Sequence, residues 1–216
     1  VFPVLQDAFS EGVDVNLIVK DASLICYFAY RGMLKCFTEC FMRCADPTIV
    51  TAEDPDDALV SAVRGLASSA TCLRMVMSLT NHVKCNCLNW KISEDLACCY
   101  GRFEVVRLLL RRNASFNNKV LYWGVRRGSI QFVELAIEFD AAVNEGFDDG
   151  QYPIHEASRQ RNSSILQKLL DAGADMEIRT KSTNETAFDI AVRCNNVSCV
   201  KLLIEKKCEF KLKDAL

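Results

Sequence analysis

A chain of 216 residues with 26 Lys and Arg, 28 Asp and Glu, half its residues apolar and only 9 Gly and 4 Pro has the composition of a folded protein, which excludes disorder and collagen-like order. Its net charge of −2 supplies no general field for nucleic acid or an anionic membrane, so any such attraction needs a local patch. No apolar run of about 18 residues and no basic-then-apolar leader with a small-residue cleavage site is visible, and the opening residue, Val1 rather than Met, leaves room for sequence upstream.

Taken in chain order, Phe2 to Asn16 reads as the tail of a repeat, with EGVDVN at 11–16 as its turn. Thereafter the chain falls into approximate units at 17–46, 47–86, 87–117, 118–144, 145–177 and 178–216. Each holds a short helix, a tight turn, a second apolar helix and a polar return. The turn residues Gly32, Gly65, Gly101, Gly128, Arg161 and Asn195 recur at intervals of 33, 36, 27, 33 and 34 residues, a period characteristic of stacked helical repeats.

Four and five, then eight and nine, residues after the turn come apolar pairs: Val105, Val106, Leu109, Leu110; Phe132, Val133, Ala136, Ile137; Ile165, Leu166, Leu169, Leu170; Cys199, Val200, Leu203, Ile204. That spacing predicts one stripe of an α-helix. Each large side chain it buries contributes about 1.5–3 kcal/mol before conformational entropy is set against it, and one repeat alone has nowhere to bury it. The first helices carry small residues where neighbours must approach closely, at Ala29, Ser61, Ala62, Ala97, Gly124, Ala157 and Ala191.

Two intervals depart from the period. The 36-residue spacing predicts a longer link, LASSAT at 66–71, before Cys72, Leu73, Val76 and Met77 resume the stripe. The 27-residue spacing predicts a shortened return around 117–120 and a missing hairpin there.

In DDGQYPIHEA at 148–157 and LLDAGADME at 169–177 the chain resembles the ankyrin-repeat family. The resemblance extends to TAFDIA at 186–191, is clearest over 101–211 and is looser before it. The last repeat departs from the family's closing Gly-Ala-Asp, with Lys207, Cys208 and Glu209 instead. It implies an all-α solenoid of stacked helix-turn-helix units, about six plus an incomplete N-terminal one, forming a single domain over 1–216. It also implies that His155 holds neighbouring backbone rather than performing chemistry. Independently of the family, Pro153 suits a first helical turn and Gly173 a left-handed helix end.

No catalytic constellation emerges. His82 and His155 sit in different repeats, paired acids such as Glu94 and Asp95 fall at loops or helix starts, and neither a phosphate loop nor GxGxxG nor GxSxG is present. His82, Cys85 and Cys87 lack the second ligand pair of a zinc knuckle. Most of the 12 Cys lie inside apolar segments, Cys36 and Cys40 in the core stripe itself, and read as reduced packing thiols of a cytoplasmic or nuclear protein. The expectation is a non-enzyme with no cofactor and no metal.

The residues just before each turn are the candidates for recognition: Tyr30 and Arg31, Arg64, Tyr100, Arg126 and Arg127, Arg159 and Gln160, and Arg193. In the family these phases line the concave groove, so stacking would set arginines from five repeats along one wall. Helix C-termini favour cations in any case, by about 0.3–1 kcal/mol, but a planar guanidinium also grips carboxylate or phosphate with two hydrogen bonds. Asp148, Asp149 and Gln151 at the rim, with Arg179, complete the expected partner-binding set. The expected ligand is a protein or extended peptide, acidic or phosphorylated; the lack of a basic flank or stacking platform disfavours nucleic acid, and no membrane insertion is expected. The alternatives are a substrate-recruiting or regulatory region of a larger ubiquitin-ligase adaptor, channel or kinase, and a zinc or redox sensor.

Overall fold

The computed structural model describes residues 1–19, 22–50, 56–81, 90–112, 116–147 and 150–213. The chain divides into two compact units, 1–112 and 113–216. In the first, the inner helices are α2 (Leu24–Arg31), α4 (Ala58–Arg64) and α6 (Trp90–Cys99). Its outer helices are α1 (Phe2–Ser10), α3 (Leu34–Met42), α5 (Ser69–Thr80) and α7 (Phe103–Arg112). Each inner helix packs on the outer helix that follows it, and each layer stacks in chain order. A two-stranded antiparallel ribbon, β1 (Ile18–Val19) with β2 (Ala22–Ser23), pairs Ile18 with Ser23 ahead of α2.

The second unit repeats the scheme. Its inner helices are α8 (Asn117–Arg126), α10 (Pro153–Arg159) and α12 (Ala187–Arg193), and its outer helices are α9 (Ile130–Glu138), α11 (Ser163–Asp171) and α13 (Val197–Lys213). Six helix pairs and the preceding α1 therefore appear among the described residues, an all-α repeat solenoid. Between α7 and α8 lie only residues 113–116, against fourteen residues between α9 and α10. The shortened return is thus real, but Asn117 to Val120 are helical; the missing residues come from the segment just before them.

The small residues sit where the periodicity places them. Ala29, Ser61, Ala62, Ala97, Ala157 and Ala191 are buried, and a methyl group on Gly124 would stand 2.9 Å from Phe132 Cβ. Without a Cβ there, α8 can close onto α9. In α7 and α11 all four stripe positions are buried. In α9 Ile137 is half-buried, and in α13 Val200 is half-buried and Ile204 exposed, because the side of α13 facing away from α11 is uncovered among the described residues.

The first unit needs one correction. Ser69, Ala70 and Thr71 are not link but the first turn of α5, whose N-cap Ser68 accepts a hydrogen bond from the Thr71 N–H. The buried stripe of α5 is accordingly Cys72, Met75, Val76 and Leu79, while Leu73 is half-buried and Met77 is 45% exposed. The 66–71 segment lacks Gly and Pro, so its hydroxyl residues serve as a cap and first turn instead of a loop.

The turns divide into two kinds. Gly32, Gly101, Gly128, Arg161 and Asn195 all have left-handed backbone, with φ of 69°, 67°, 68°, 57° and 52°. Gly65 does not: its φ is −67° and its ψ −179°. Returns are stitched to their neighbours by asparagines, the Asn16 Oδ1 accepting from the Asp46 N–H at 2.8 Å and the Asn144 Oδ1 from the Asp175 N–H at 2.8 Å.

The start of α12 is fixed by a reciprocal cap. The Asp189 N–H donates to the Thr186 hydroxyl at 3.3 Å, and the Thr186 N–H to the Asp189 carboxylate at 2.9 Å, which holds that carboxyl below its ordinary range. Replacing Thr186 by Ala should cost about 1 kcal/mol. Chemical denaturation followed by helical circular dichroism checks this; an unchanged midpoint contradicts it.

Candidate functional site

Inner helices expose one face to solvent, and the candidate side chains lie along it. In the first unit Arg31 and Arg64 are exposed, as are Tyr30 and Tyr100, at 42% and 50%. In the second, Arg126, Arg127, Arg159, Arg179 and Arg193 are exposed, and Gln151 and Gln160 half-buried. Asp148 and Asp149 lie outside the described residues, as do His82, Cys85 and Cys87.

A regularity governs the arginines that close the three seven-residue inner helices. Each reaches back along its helix to the residue eight positions earlier: Arg64 to Asp56, Arg159 to the Gln151 Oε1 at 3.1 Å, and Arg193 to Glu185 at 2.8 and 3.2 Å. Side chains on a helix slant toward its N-terminus, so a long cation at the last position naturally lies over the first turn. Arg159 also donates to the Glu156 carboxylate at 2.7 Å. Arg193 and Thr183 together hold the Glu185 carboxyl below its ordinary range.

The guanidinium groups are therefore oriented before any ligand arrives, with the carboxylates more deeply placed. The Arg64 side chain is 40% exposed against 10% for Asp56. In the longer α8, the guanidinium of Arg126 lies 5.5 Å from the centre of the Tyr122 ring, a cation–π contact. Tyr122 also meets Phe147 edge-on at 4.8 Å. The ends of α8, α10 and α12 are joined by hydrogen bonds from the Gln160 side chain to the Arg126 carbonyl at 2.9 Å and from the Asn196 side chain to the Ser158 carbonyl at 2.9 Å. Arg179 stands apart on the return before α12, donating to the Asn184 carbonyl at 2.8 Å.

The acceptors Asp56, Glu156 and Glu185 are absent from the set expected from sequence, although an acid or amide eight residues before a helix-ending Arg is visible at 56/64, 151/159 and 185/193. Tyr122 is absent from it as well; it stands in its repeat where His155 stands in the next.

Among the described residues, His155 and most of the cysteines are packed into the repeats. Nε2 of the fully buried His155 lies 3.0 Å from the Ile178 carbonyl, so the ring bridges backbone as the resemblance implies. Cys26, Cys36, Cys40, Cys72, Cys98 and Cys199 are buried. Burial pushes the Cys40 thiol up to about 12, and those of Cys36, Cys72 and Cys199 in the same direction, away from the reactive thiolate. Among the described residues no group of three His, Cys, Asp or Glu is disposed to hold a metal ion, and no helix is long and apolar enough to cross a membrane.

Comparison with known proteins places this architecture. The family model for ankyrin repeats in three copies matches residues 121–214, and the single ankyrin repeat model matches 95–120. An ankyrin repeat protein of Fowlpox virus (strain NVSL), FPV031, is 31% identical over 120 residues, covering 50% of this chain and 35% of that protein. Ankyrin repeat and SOCS box protein 11 of Homo sapiens is 29% identical over 114 residues, covering 49% of this chain and 34% of that protein. The chain spans a third or less of most curated relatives it matches, and 15% of the BRCA1-associated RING domain protein 1 of Caenorhabditis elegans. Among solved structures, the ankyrin repeat domain of human ASB11 aligns with a TM-score of 0.71 at 22% identity, covering 95% of this chain and 92% of that one. That of Bcl-3 aligns with a TM-score of 0.71 at 18% identity, covering 94% and 91%. These likenesses establish the fold, and ankyrin repeats are in general protein–protein interaction modules. With six helix pairs repeating one packing scheme and family matches running continuously from 95 to 214, more than half its length, the chain belongs to the ankyrin-repeat family.

Proposed function

We propose that the chain is a non-enzymatic scaffold, cytoplasmic or nuclear, that binds an extended acidic or phosphorylated protein segment on the exposed face of its inner helices. The observation carrying this reading is the pre-oriented row of cations at the ends of α8, α10 and α12: Arg126, Arg159 and Arg193, with the exposed Arg127 beside the first. A guanidinium already held in place loses little rotamer freedom on binding, which is where much of the cost of recognition otherwise falls. The internal acids set the selectivity. Because Glu156 and Glu185 already occupy part of each donor fork, a ligand must offer acceptors strong enough to share it, which favours phosphate or clustered carboxylates over an isolated one.

The test uses a synthetic extended peptide of alternating Gly and Glu, with a second version carrying phosphoserine, titrated into the intact chain by calorimetry. Charge reversal in Arg126→Glu/Arg159→Glu should weaken both by about tenfold or more, with the phosphopeptide losing more. Equal affinity in the variant, with its thermal stability retained, refutes the assignment.

A second reading is that this scaffold recruits substrates for a larger protein. The small share of each curated relative that it spans favours this reading, as do the names of two of them, which carry a SOCS box and a RING domain.

A further inference from the structure

In the second unit the shallow groove across α9, α11 and α13 sets Ile130 and Leu202 among serines, lysines and Glu205. In the first unit the groove between α5 and α7, of about 230 Å³, is lined by Leu73, Met77 and Leu108 together with Glu104, Arg107 and Arg111. A second groove of about 350 Å³ runs from α3 to Arg74 of α5, lined also by Lys35 and Glu39, and there Met42 is 76% exposed.

Leu73 and Met77 stand four residues apart on the side of α5 away from its buried stripe, and Leu108 follows the same rule on α7. Leu73 and Leu108 are half-buried there and Met77 is exposed. The helix dipole does not account for all the cations: Arg111 is in the last turn of α7, but Arg74 and Arg107 are mid-helix. Of the two acids lining these grooves, Glu39 is paired with Arg43, and Glu104 is in the first turn of α7, where a negative charge is favoured without any ligand. The Nε of Arg107 is buried, as is that of Arg102, so the Arg107 guanidinium is held against the helix by its stem. The surface thus combines an adaptable thioether and leucine floor with a cationic rim.

We propose that the outer face of α5 and α7 docks an acidic amphipathic helix from a partner protein, its apolar stripe on Leu73, Met77 and Leu108 and its carboxylates on Arg74, Arg107 and Arg111. A groove between parallel ridges of helix side chains accepts a third helix through residues spaced at i, i+3, i+4 and i+7, and the rim charge selects the sign of its flanks. This surface is separate from the inner-helix face and does not depend on the function proposed for it.

The experiment uses a fluorescent synthetic helix of about five turns, with Leu and Met on one face and Glu on its flanks, beside a scrambled peptide of the same composition and a version with Lys for Glu. Anisotropy titration into the intact chain should show binding of the acidic helix alone, weakened by added salt. Arg107→Glu/Arg111→Glu and, separately, Met77→Gln should each reduce affinity by about tenfold, while Arg126→Glu/Arg159→Glu leaves it unchanged. If Arg107→Glu fails to fold, Arg74→Glu/Arg111→Glu, both at exposed positions, takes its place. Equal binding of the scrambled peptide, or indifference to the arginine and methionine variants, overturns the proposal. So does a concentration-dependent doubling of mass that Met77→Gln abolishes, which assigns the face to a second copy. Binding of phosphatidylserine vesicles but not of the peptide, lost in the arginine variant, assigns it to a membrane surface.

Discussion

Gly65→Ala is expected to destabilise the chain by about 3 kcal/mol, at the upper end of what overpacking usually costs. A methyl group built there stands 2.3 Å from the Tyr30 carbonyl oxygen, 2.7 Å from the Tyr30 Cα and 2.8 Å from the Ser61 carbonyl oxygen. All three are backbone atoms of helices α2 and α4, so no side chain can rotate away. The same place is held from outside by hydrogen bonds. The Leu66 N–H donates to the Tyr30 carbonyl at 2.8 Å, and Arg102 donates to the Gly65 and Ala67 carbonyls at 2.9 and 2.8 Å. Chemical denaturation should show the loss. By contrast Gly128→Ala, where the nearest atom to an added methyl is a side-chain nitrogen at 3.6 Å, should lose only about 1 kcal/mol from its left-handed φ. A loss at Gly65 no larger than that at Gly128 would show that the backbone gives way at the Tyr30 contact.

That contrast marks how far the sequence could be read. The period makes Gly65 a sixth turn of the same kind, and its place in the repeat is right, but the reason for glycine there is a close approach from Tyr30, whose own position in the chain carries no hint of it. The same limit explains α5. Cys72, Leu73, Val76 and Met77 and the observed Cys72, Met75, Val76 and Leu79 are both helical stripes. Choosing between them requires knowing where α3 and α7 press, which pattern alone does not say. Where the family pattern is strong, as in α7 and α11, the stripe is legible to the residue.

At the inner-helix surface the cations are legible, and of their partners only Gln151 is in the expected set. Arg64, Arg159 and Arg193 read as unpaired charges only while the reach from Asp56, Gln151, Glu156 and Glu185 is unknown. Once the helices are seven residues long, a residue just before the first turn and an arginine in the last are within reach of each other, and each arginine becomes partly engaged within its own repeat. Recognition by such a surface depends less on net charge than on whether a ligand can compete for forks already in use.

His155→Leu should lower stability by about 2 kcal/mol near neutral pH, and the gap should narrow as the solution is acidified. A carbonyl can only accept, so the contact from Nε2 to the Ile178 oxygen at 3.0 Å requires the proton on Nε2. Nδ1 is then a bare nitrogen, buried without a partner among the described residues. Charging the ring would put a second proton there with nothing to receive it. Burial accordingly depresses the His155 pKa below its ordinary 6.5; the Ile178 carbonyl opposes this, Arg159 reinforces it and Glu185 opposes it more weakly. Between the ordinary value and the lower folded one, the unfolded chain binds a proton that the folded chain refuses, so the wild type loses stability as pH falls through that window. The leucine of the variant binds no proton in either state, so this component is absent from it. Leucine is close in volume to the ring, and the loss at neutral pH therefore reports mainly the Ile178 carbonyl left without its donor. Denaturation of both proteins at about pH 7.5 and about pH 5 separates the terms. A gap that widens on acidification would mean that the folded chain holds the imidazolium, and the ring would then have to be making an ionic contact instead of bracing the backbone of the next return.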